Sequence, residues 1–419
     1  MKLHRLIYSI IVVALLPLAL LRLAWRARRQ PEYLRHVGER FGFYRIPSVQ
    51  PLVWIHAVSV GETRAAEPLV RALRAAHPDY RVLLTHMTPT GRQTSVQLFG
   101  DEVLRAYLPY DLPFAVNRFL RHFRPALGVL METELWPNLI HCATDAQIPV
   151  ALVNARLSQR SARGYARLGR LIEDTLSRVA AIGAQSQTDA TRLRELGGKS
   201  VEVTGNMKFD RSPGAEDLQL GRALRSRLGT RFVLLAASTR EGEEELLLDA
   251  LNDLLGEILL VIVPRHPQRF EGVARLLARR GIHYQRRSDD SPIASITDVV
   301  LGDSMGEMFA YYAACDLAFI GGSLLPLGGQ NLLEACAAGK PTVVGPHMFN
   351  FSEATRLALE AGAAVQIADV KALREVVGTL RTNAARRARM GEAGKKLMLE
   401  HQGATARTLQ LIERVLTHG

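Results

Sequence analysis

The sequence predicts an α/β fold with two parallel sheets, each covered by helices. Three observations carry that expectation. Short apolar β-type runs alternate with helical stretches, the pattern of parallel sheets with helices on both faces. The alternation restarts after Asp210–Pro213, so a second sheet follows the first. At 419 residues the chain can build two domains, each with its own core.

Strand candidates in the first half are Leu52–His56, Val82–Thr85, Ala126–Met131, Val150–Val153 and Ala180–Ala184. Helices are expected near Thr63–Ala76, Pro113–Phe123, Pro137–Ala146 and Ser158–Ser177. The second set of strands is Phe232–Ala237, Leu259–Val263, Val299–Leu301, Leu317–Ile320 and Thr342–Val344. Arg211–Leu220 reads as the linker. The division is therefore 1–29 as a membrane anchor with its basic flank, 30–210 as the first domain, 211–220 as linker and 221–419 as the second domain. Helices rich in Ala, Arg and Leu fill Ala384–His418.

The anchor rests on Leu6–Leu21, which carries no charge and is followed by Arg22, Arg26, Arg28 and Arg29. A full span takes roughly 20 apolar residues, so the segment is borderline, and Pro17 interrupts it. A signal peptide competes, but no small-residue cleavage site precedes the arginines. Arginines on the C-terminal side place the body in the cytoplasm by the positive-inside rule.

Composition excludes several classes. A net charge of +12 invites nucleic acid, yet aromatics are only 6 % and no basic–aromatic platform is interleaved. An anionic membrane or a phosphorylated lipid accounts for the charge instead. Arg160, Arg163, Arg167 and Arg170 recur on one face of the expected helix Ser158–Ser177, either as a solvated face or as a stripe meeting lipid phosphates. Cys142, Cys315 and Cys336 are few, odd in number and scattered, which speaks for reduced thiols and against a disulfide framework or zinc site. No metal-ligand motif occurs, so metal dependence is not expected.

The densest local signal is Asp316–Glu353. A buried-type strand, Leu317–Ile320, empties into a loop holding Gly321, Gly322, Gly328 and Gly329. A helical stretch Leu332–Ala338 follows, opened by Asn331 and stopped by Gly339. Glycines let backbone approach a phosphate, and a helix start offers N–H groups. Glu334, in the first turn, can accept hydrogen bonds from ribose hydroxyls. An ordinary βα turn with spare glycines has the same pattern.

Motifs across most of the chain resemble those of the Kdo transferases, which move 3-deoxy-D-manno-oct-2-ulosonic acid (Kdo) from CMP-Kdo to a lipid A precursor. They are RHVGERFG at Arg35–Gly42, HAVSVGE at His56–Glu62, TPTG at Thr88–Gly91, YLPYDLP at Tyr107–Pro113, METELWPN at Met131–Asn138, NARLSQRS at Asn154–Ser161, TGNMKFD at Thr204–Asp210, PRHPQRF at Pro264–Phe270 and MGEM at Met305–Met308. The resemblance implies two Rossmann-like domains facing each other across a cleft (the GT-B glycosyltransferase architecture), a membrane-anchored, metal-independent, inverting transfer, and CMP-Kdo as co-substrate without further cofactor. It implies the bacterial inner membrane as location, and a final helix that crosses back onto the first domain. A UDP-sugar transferase or epimerase of the same architecture, and a non-catalytic basic lipid-binding protein, are the alternatives.

Glu62 follows a strand and precedes a helix. It can act as the base for the acceptor hydroxyl, or as a carboxylate stabilising the helix dipole; the resemblance implies the base. Glu132 and Glu134 are two apart, on one face of an extended stretch. The resemblance makes Glu132 a transition-state stabiliser, and Glu134 is equally placed to cap the helix at Pro137. Lys208 and Arg265 follow apolar runs, where cations can meet the leaving phosphate. The resemblance makes Lys208 a stabiliser and gives CMP to Pro264, Arg265, Met305, Gly306, Glu307, Asn331, Leu332, Leu333 and Glu334. Ser238, Thr239 and Arg240 are candidate donor contacts; Arg156, Arg160, Arg163 and Arg167 are candidate acceptor contacts. Gln330 and Arg240 stand where the family often has His, and His86 where it often has Thr, which puts any acid role for Gln330 in doubt.

Overall fold

The computed structural model describes Leu3–Arg28 and Gln30–His418; Met1, Lys2, Arg29 and Gly419, the first three of them within the expected anchor and its flank, lie outside the described residues. The chain forms two units, residues 1–210 with 402–419, and residues 211–401.

The first unit holds a seven-stranded parallel sheet: β1 (Leu52–His56), β2 (Arg81–His86), β3 (Leu104–Tyr107), β4 (Leu127–Met131), β5 (Val150–Ala155), β6 (Ala181–Ala184) and β7 (Val201–Val203), in the order β3-β2-β1-β4-β5-β6-β7. Every residue of β1, β4 and β5 is buried, as continuous apolar strands with both faces covered should be. Leu52, Trp54, Leu130 and Leu152 point to one face, against Phe119, Phe123 and Ile140. Val53, Ile55, Val129 and Val153 point to the other, against Leu69, Leu73, Leu411 and Ile412.

The second unit repeats the plan with β8 (Phe232–Thr239), β9 (Ile258–Pro264), β10 (Tyr284–Arg286), β11 (Val299–Leu301), β12 (Leu317–Ile320), β13 (Thr342–Val344) and β14 (Ala364–Gln366). Its seven strands are ordered β10-β11-β9-β8-β12-β13-β14. Leu234, Leu260, Phe319 and Val343 pack with Leu251, Leu277, Leu373 and Leu380.

Several expectations need correction. The strands β3, β7, β10 and β14 were not foreseen; they lie toward the sheet edges, are three or four residues long, and carry charged or half-exposed side chains. The linker is shorter than expected, because the helix Ala215–Leu228 already covers more than half of 211–220. The second domain ends at 401 rather than 419, because residues 402–419 belong to the first unit, as the expected crossing back of the final helix has it. Ala404–His418 packs there against α2 (Val60–Ala76), since Leu411 and Ile412 complete that core face. The arginine-striped helix is two helices, Gln159–Ala166 and Arg170–Leu176. Gly169, at φ +49°, turns the chain between them so that Ile172 and Leu176 enter the core. Arg160, Arg163 and Arg167 stay on one exposed edge, but Arg170 opens the next helix and leaves the stripe.

The N-terminal helix α1 (Leu3–Ala27) is long and apolar enough to cross a membrane by length and composition.

Asp210 fastens the C-terminal helix, its Oδ1 accepting the Gly403 N–H at 2.7 Å and its Oδ2 the Thr405 N–H at 2.5 Å. Asp210→Ala is expected to lower stability by about 0.5–2 kcal/mol, the usual cost of losing a cap, read as a lower urea midpoint.

Candidate active site

In an open parallel sheet ligands collect at the carboxyl ends of the strands where strand order reverses. In the first unit that point lies between β1 and β4. The loop after β1 carries Glu62, and the loop after β4 carries Glu132.

Ser59 caps α2, which starts at Val60, so Glu62 sits inside the first turn rather than ahead of the helix. Its Oε2 accepts the Val58 N–H at 2.8 Å and its Oε1 the Ser59 hydroxyl at 3.1 Å. Burial pushes the Glu62 carboxyl up to about 8; the Val58 N–H opposes this, while the charges of Glu132 and Glu134 add to it. The three carboxylates are therefore neighbours. Below them His56 and His86 are held neutral, burial lowering them to about 3 and about 4. His86 Nδ1 lies 2.8 Å from the Ala57 carbonyl and steadies the start of the Glu62 loop.

Glu132 adopts φ +57°, a left-handed conformation uncommon for a residue with a Cβ. Glu132 and Thr133 form a turn, so the METELW segment is not extended and the shared-face argument fails. What unites the carboxylates is the turn. Glu132 Oε1 lies 3.3 Å from Lys208 Nζ. Lys208 rides on the short turn Met207–Asp210, whose first N–H is accepted by Asn154 Oδ1 at 3.2 Å. Glu134 accepts the Trp136 indole N–H at 2.8 Å and does not cap the helix Pro137–Asp145. That cap is Asp111, which accepts the N–H groups of Asn138 (3.0 Å) and Leu139 (2.7 Å). Tyr165, in the first arginine-bearing helix, donates to the Thr133 carbonyl at 3.3 Å and ties Arg160, Arg163 and Arg167 to this loop. Arg156 is half-buried just after β5.

In the second unit the reversal lies between β8 and β12. Their ends approach so closely that a Cβ on Gly321 would fall 2.6 Å from the Ser238 carbonyl. Ser238 itself is at φ +57°. The buried Glu243 binds this crossing together. It accepts the N–H groups of Arg240 at 2.9 Å, Gly322 at 2.5 Å, and Ser323 and Leu324 at 3.0 Å each. The start of the glycine loop, offered by the sequence to a phosphate, is thus turned onto an internal acid.

Thr239 is corrected as a donor contact. It is fully buried, and its hydroxyl donates to Glu244 at 2.6 Å; Glu244 also takes two bonds of 2.7 Å from Arg269. Arg240 stays half-buried at the loop.

The CMP candidates all lie at carboxyl ends of strands. Pro264 ends β9, and Arg265 after it bonds Gln330 Oε1 through Nε at 3.1 Å. Met305 and Gly306 follow β11, and Glu307 accepts the Ser304 hydroxyl at 2.6 Å and pairs with Arg287 at 3.4 Å. Asn331 Oδ1 accepts the Leu333 N–H at 3.2 Å. Leu332 and Leu333 are buried, so only their backbone can meet a ligand. Glu334 is ion-paired to Arg211.

Sequence reasoning missed Asn154, Asp111, Arg211, Glu243, Glu244 and Arg269. Asn154, Asp111 and Arg269 stand within the quoted motifs, and Glu243 and Glu244 in an acidic run that reads as a solvated helix face.

Two seven-stranded parallel sheets, each with candidate residues at its reversal, define the GT-B architecture. A glycosyltransferase from Rickettsia africae has the same fold, at 11 % identity, over 90 % of this chain and 100 % of that one, with a TM-score of 0.59. A family profile described as 3-deoxy-D-manno-octulosonic-acid transferase (kdotransferase) matches residues 35–211. The 3-deoxy-D-manno-octulosonic acid transferase of Bordetella pertussis is 43 % identical over 97 % of this chain and 98 % of its own length. That of Haemophilus influenzae is 38 % identical over 98 % and 99 %. The chain belongs to the family of 3-deoxy-D-manno-octulosonic acid transferases.

Glu243→Ala strands buried N–H groups, each costing about 1–3 kcal/mol when unsatisfied. Deuterium exchange should rise at Gly322–Leu324 and stay unchanged in the first unit.

Proposed function

We propose that this enzyme moves Kdo from CMP-Kdo to a lipid A precursor in lipopolysaccharide biosynthesis, at the cytoplasmic face of a bacterial inner membrane. Family membership supports the sugar and the reaction class. The observation that carries the mechanism is Glu62, a half-buried carboxyl held at about 8 beside two further acids.

In the proposed transfer Glu62 takes the proton of the acceptor hydroxyl as that oxygen attacks the anomeric carbon and the bond to the CMP phosphate breaks from the opposite face. A base with this value accepts a proton readily near neutral pH. Glu132, across from Lys208, lends negative charge to the oxocarbenium-like carbon, and Lys208 meets charge passing to the phosphate. CMP would rest on Pro264, Arg265, the Met305–Glu307 turn and Asn331–Glu334, with ribose hydroxyls donating to the Glu334 carboxylate that Arg211 orients. Arg156, Arg160, Arg163 and Arg167 would receive the acceptor's phosphates near the Glu132 loop. α1 would hold the protein on its anionic membrane.

Mass spectrometry of the lipid made from CMP-Kdo tests the reading; a product unchanged in mass sinks it. Glu62→Gln should lower kcat by about 10²- to 10⁴-fold with CMP affinity within a few-fold. The wild-type kcat/KM should rise with pH up to about 8, and the variant should lack that limb. Stability runs the other way. Because the folded value lies above the ordinary one, the native state binds the extra proton, and stability falls as pH rises from the ordinary value through about 8. Glu62→Gln should abolish that part of the fall in a series of pH-dependent melts. Activity with preformed CMP-Kdo should survive EDTA, since the proposed stabilisers are side-chain cations; full loss restored by Mg²⁺ would overturn this part.

A further inference from the structure

α1 is apolar over most of its length, yet its first turns are fixed to the first unit by polar side chains. Arg5 bonds Asn138 Oδ1 at 3.2 Å, Asp145 Oδ2 at 3.3 Å and Cys142 Sγ at 3.1 Å. Tyr8 donates to Asp111 at 2.9 Å, Ser9 to Asn138 at 3.0 Å, and His4 lies 3.4 Å from Asp174. Arg5 and Ser9 are each only 8 % exposed. At the other end Leu23 and Ala27 are buried as well, and Arg26 lies over the Tyr33 ring. Between the ends Val12, Leu16 and Ala19 are half-covered, continuing one helical face. The opposite face exposes Ile7, Ile10, Ile11, Leu18, Leu21 and Trp25, each at least half accessible.

Arg5 and Ala27 are about 33 Å apart along the axis. The hydrocarbon core of a bilayer is about 30 Å thick. A straight helix crossing it would carry Arg5 to the far side, away from Asp111, Asn138 and Asp145. One unit cannot hold both ends of a spanning helix.

We infer that α1 does not cross the membrane but lies in its plane, strapped along the first unit, with its outer face in the lipid of one leaflet. The bilayer is the occupant that fits. The exposed face is aliphatic along the whole helix and ends in Trp25, and Arg22, Arg26 and Arg28 flank it, the pattern of an interfacial helix on an anionic leaflet. The strap also reaches the candidate site. Asp111, which Tyr8 holds, caps the helix that follows the Glu132–Glu134 loop, so the plane of α1 fixes where that loop meets the lipid surface.

This inference rests on the membrane reading above, and the experiment separates the two. Lys2→Cys, just ahead of the helix, and, as a body control, Glu392→Cys are made in the full chain; the natural cysteines are buried. Inverted and right-side-out inner-membrane vesicles are treated with an impermeant maleimide. Both sites are expected to label in inverted vesicles and neither in right-side-out ones. Labelling of Lys2→Cys only in right-side-out vesicles, with the control unchanged, overturns the in-plane helix and leaves the anchor standing. Full recovery of the chain in the soluble fraction overturns the anchor and the inference together. As a second readout, spin labels scanned through residues 10–21 should show oxygen accessibility recurring with the helical period; one smooth maximum at mid-helix would overturn the proposal.

Discussion

Buried and half-buried carboxylates that accept backbone N–H groups hold this protein's loops where its sheets need them. Asp111 takes Asn138 and Leu139, Asp210 takes Gly403 and Thr405, and Glu243 takes Arg240 with Gly322–Leu324. Glu39 does the same for Tyr107, Asp189 for Leu157 and Asp316 for Val233. Loops at the ends of parallel strands cannot satisfy their N–H groups within a ladder, and an unpaired buried N–H is expensive. An acid can answer several at once. The glycosyltransferase scaffold depends on that economy at both sheets.

The same physics sets the chemistry at Glu62. A carboxylate surrounded by donors would ionise easily, as a helix N-terminus favours. Glu62 has two donors, but also burial and two neighbouring acids, and these prevail. The difference between a structural cap and a proton acceptor is thus a matter of which neighbours the fold supplies. Lys208 balances Glu132 and so keeps the acidic cluster from being wholly uncompensated.

The Kdo transferase family and the α/β class were legible in the sequence because both are written in local pattern. Central strands such as Leu317–Ile320 and Val299–Leu301 are short apolar runs with clear stops, and the structure keeps their limits. Edge strands such as β10, Tyr-Gln-Arg, carry no such pattern, because an edge is stabilised by its one neighbour more than by its own burial. Among candidate residues, Glu62, Glu132 and Lys208 do come together. Thr239 does not face a ligand, and Glu134 does not cap.

By itself the sequence determined the alternation of strands and helices, the apolar N-terminal helix, the motifs of the family and the identity of the acids at strand ends. Only the tertiary structure decided which donors each acid meets: Glu243 bonds residues 79 to 81 positions away, and Lys208 reaches Glu132 across 76. It also decided that α1 is held at both ends. Periodicity is a property of neighbours in the chain, so it survives in sequence. A carboxylate's partner and its proton affinity come from groups brought close by folding, and no local pattern records them.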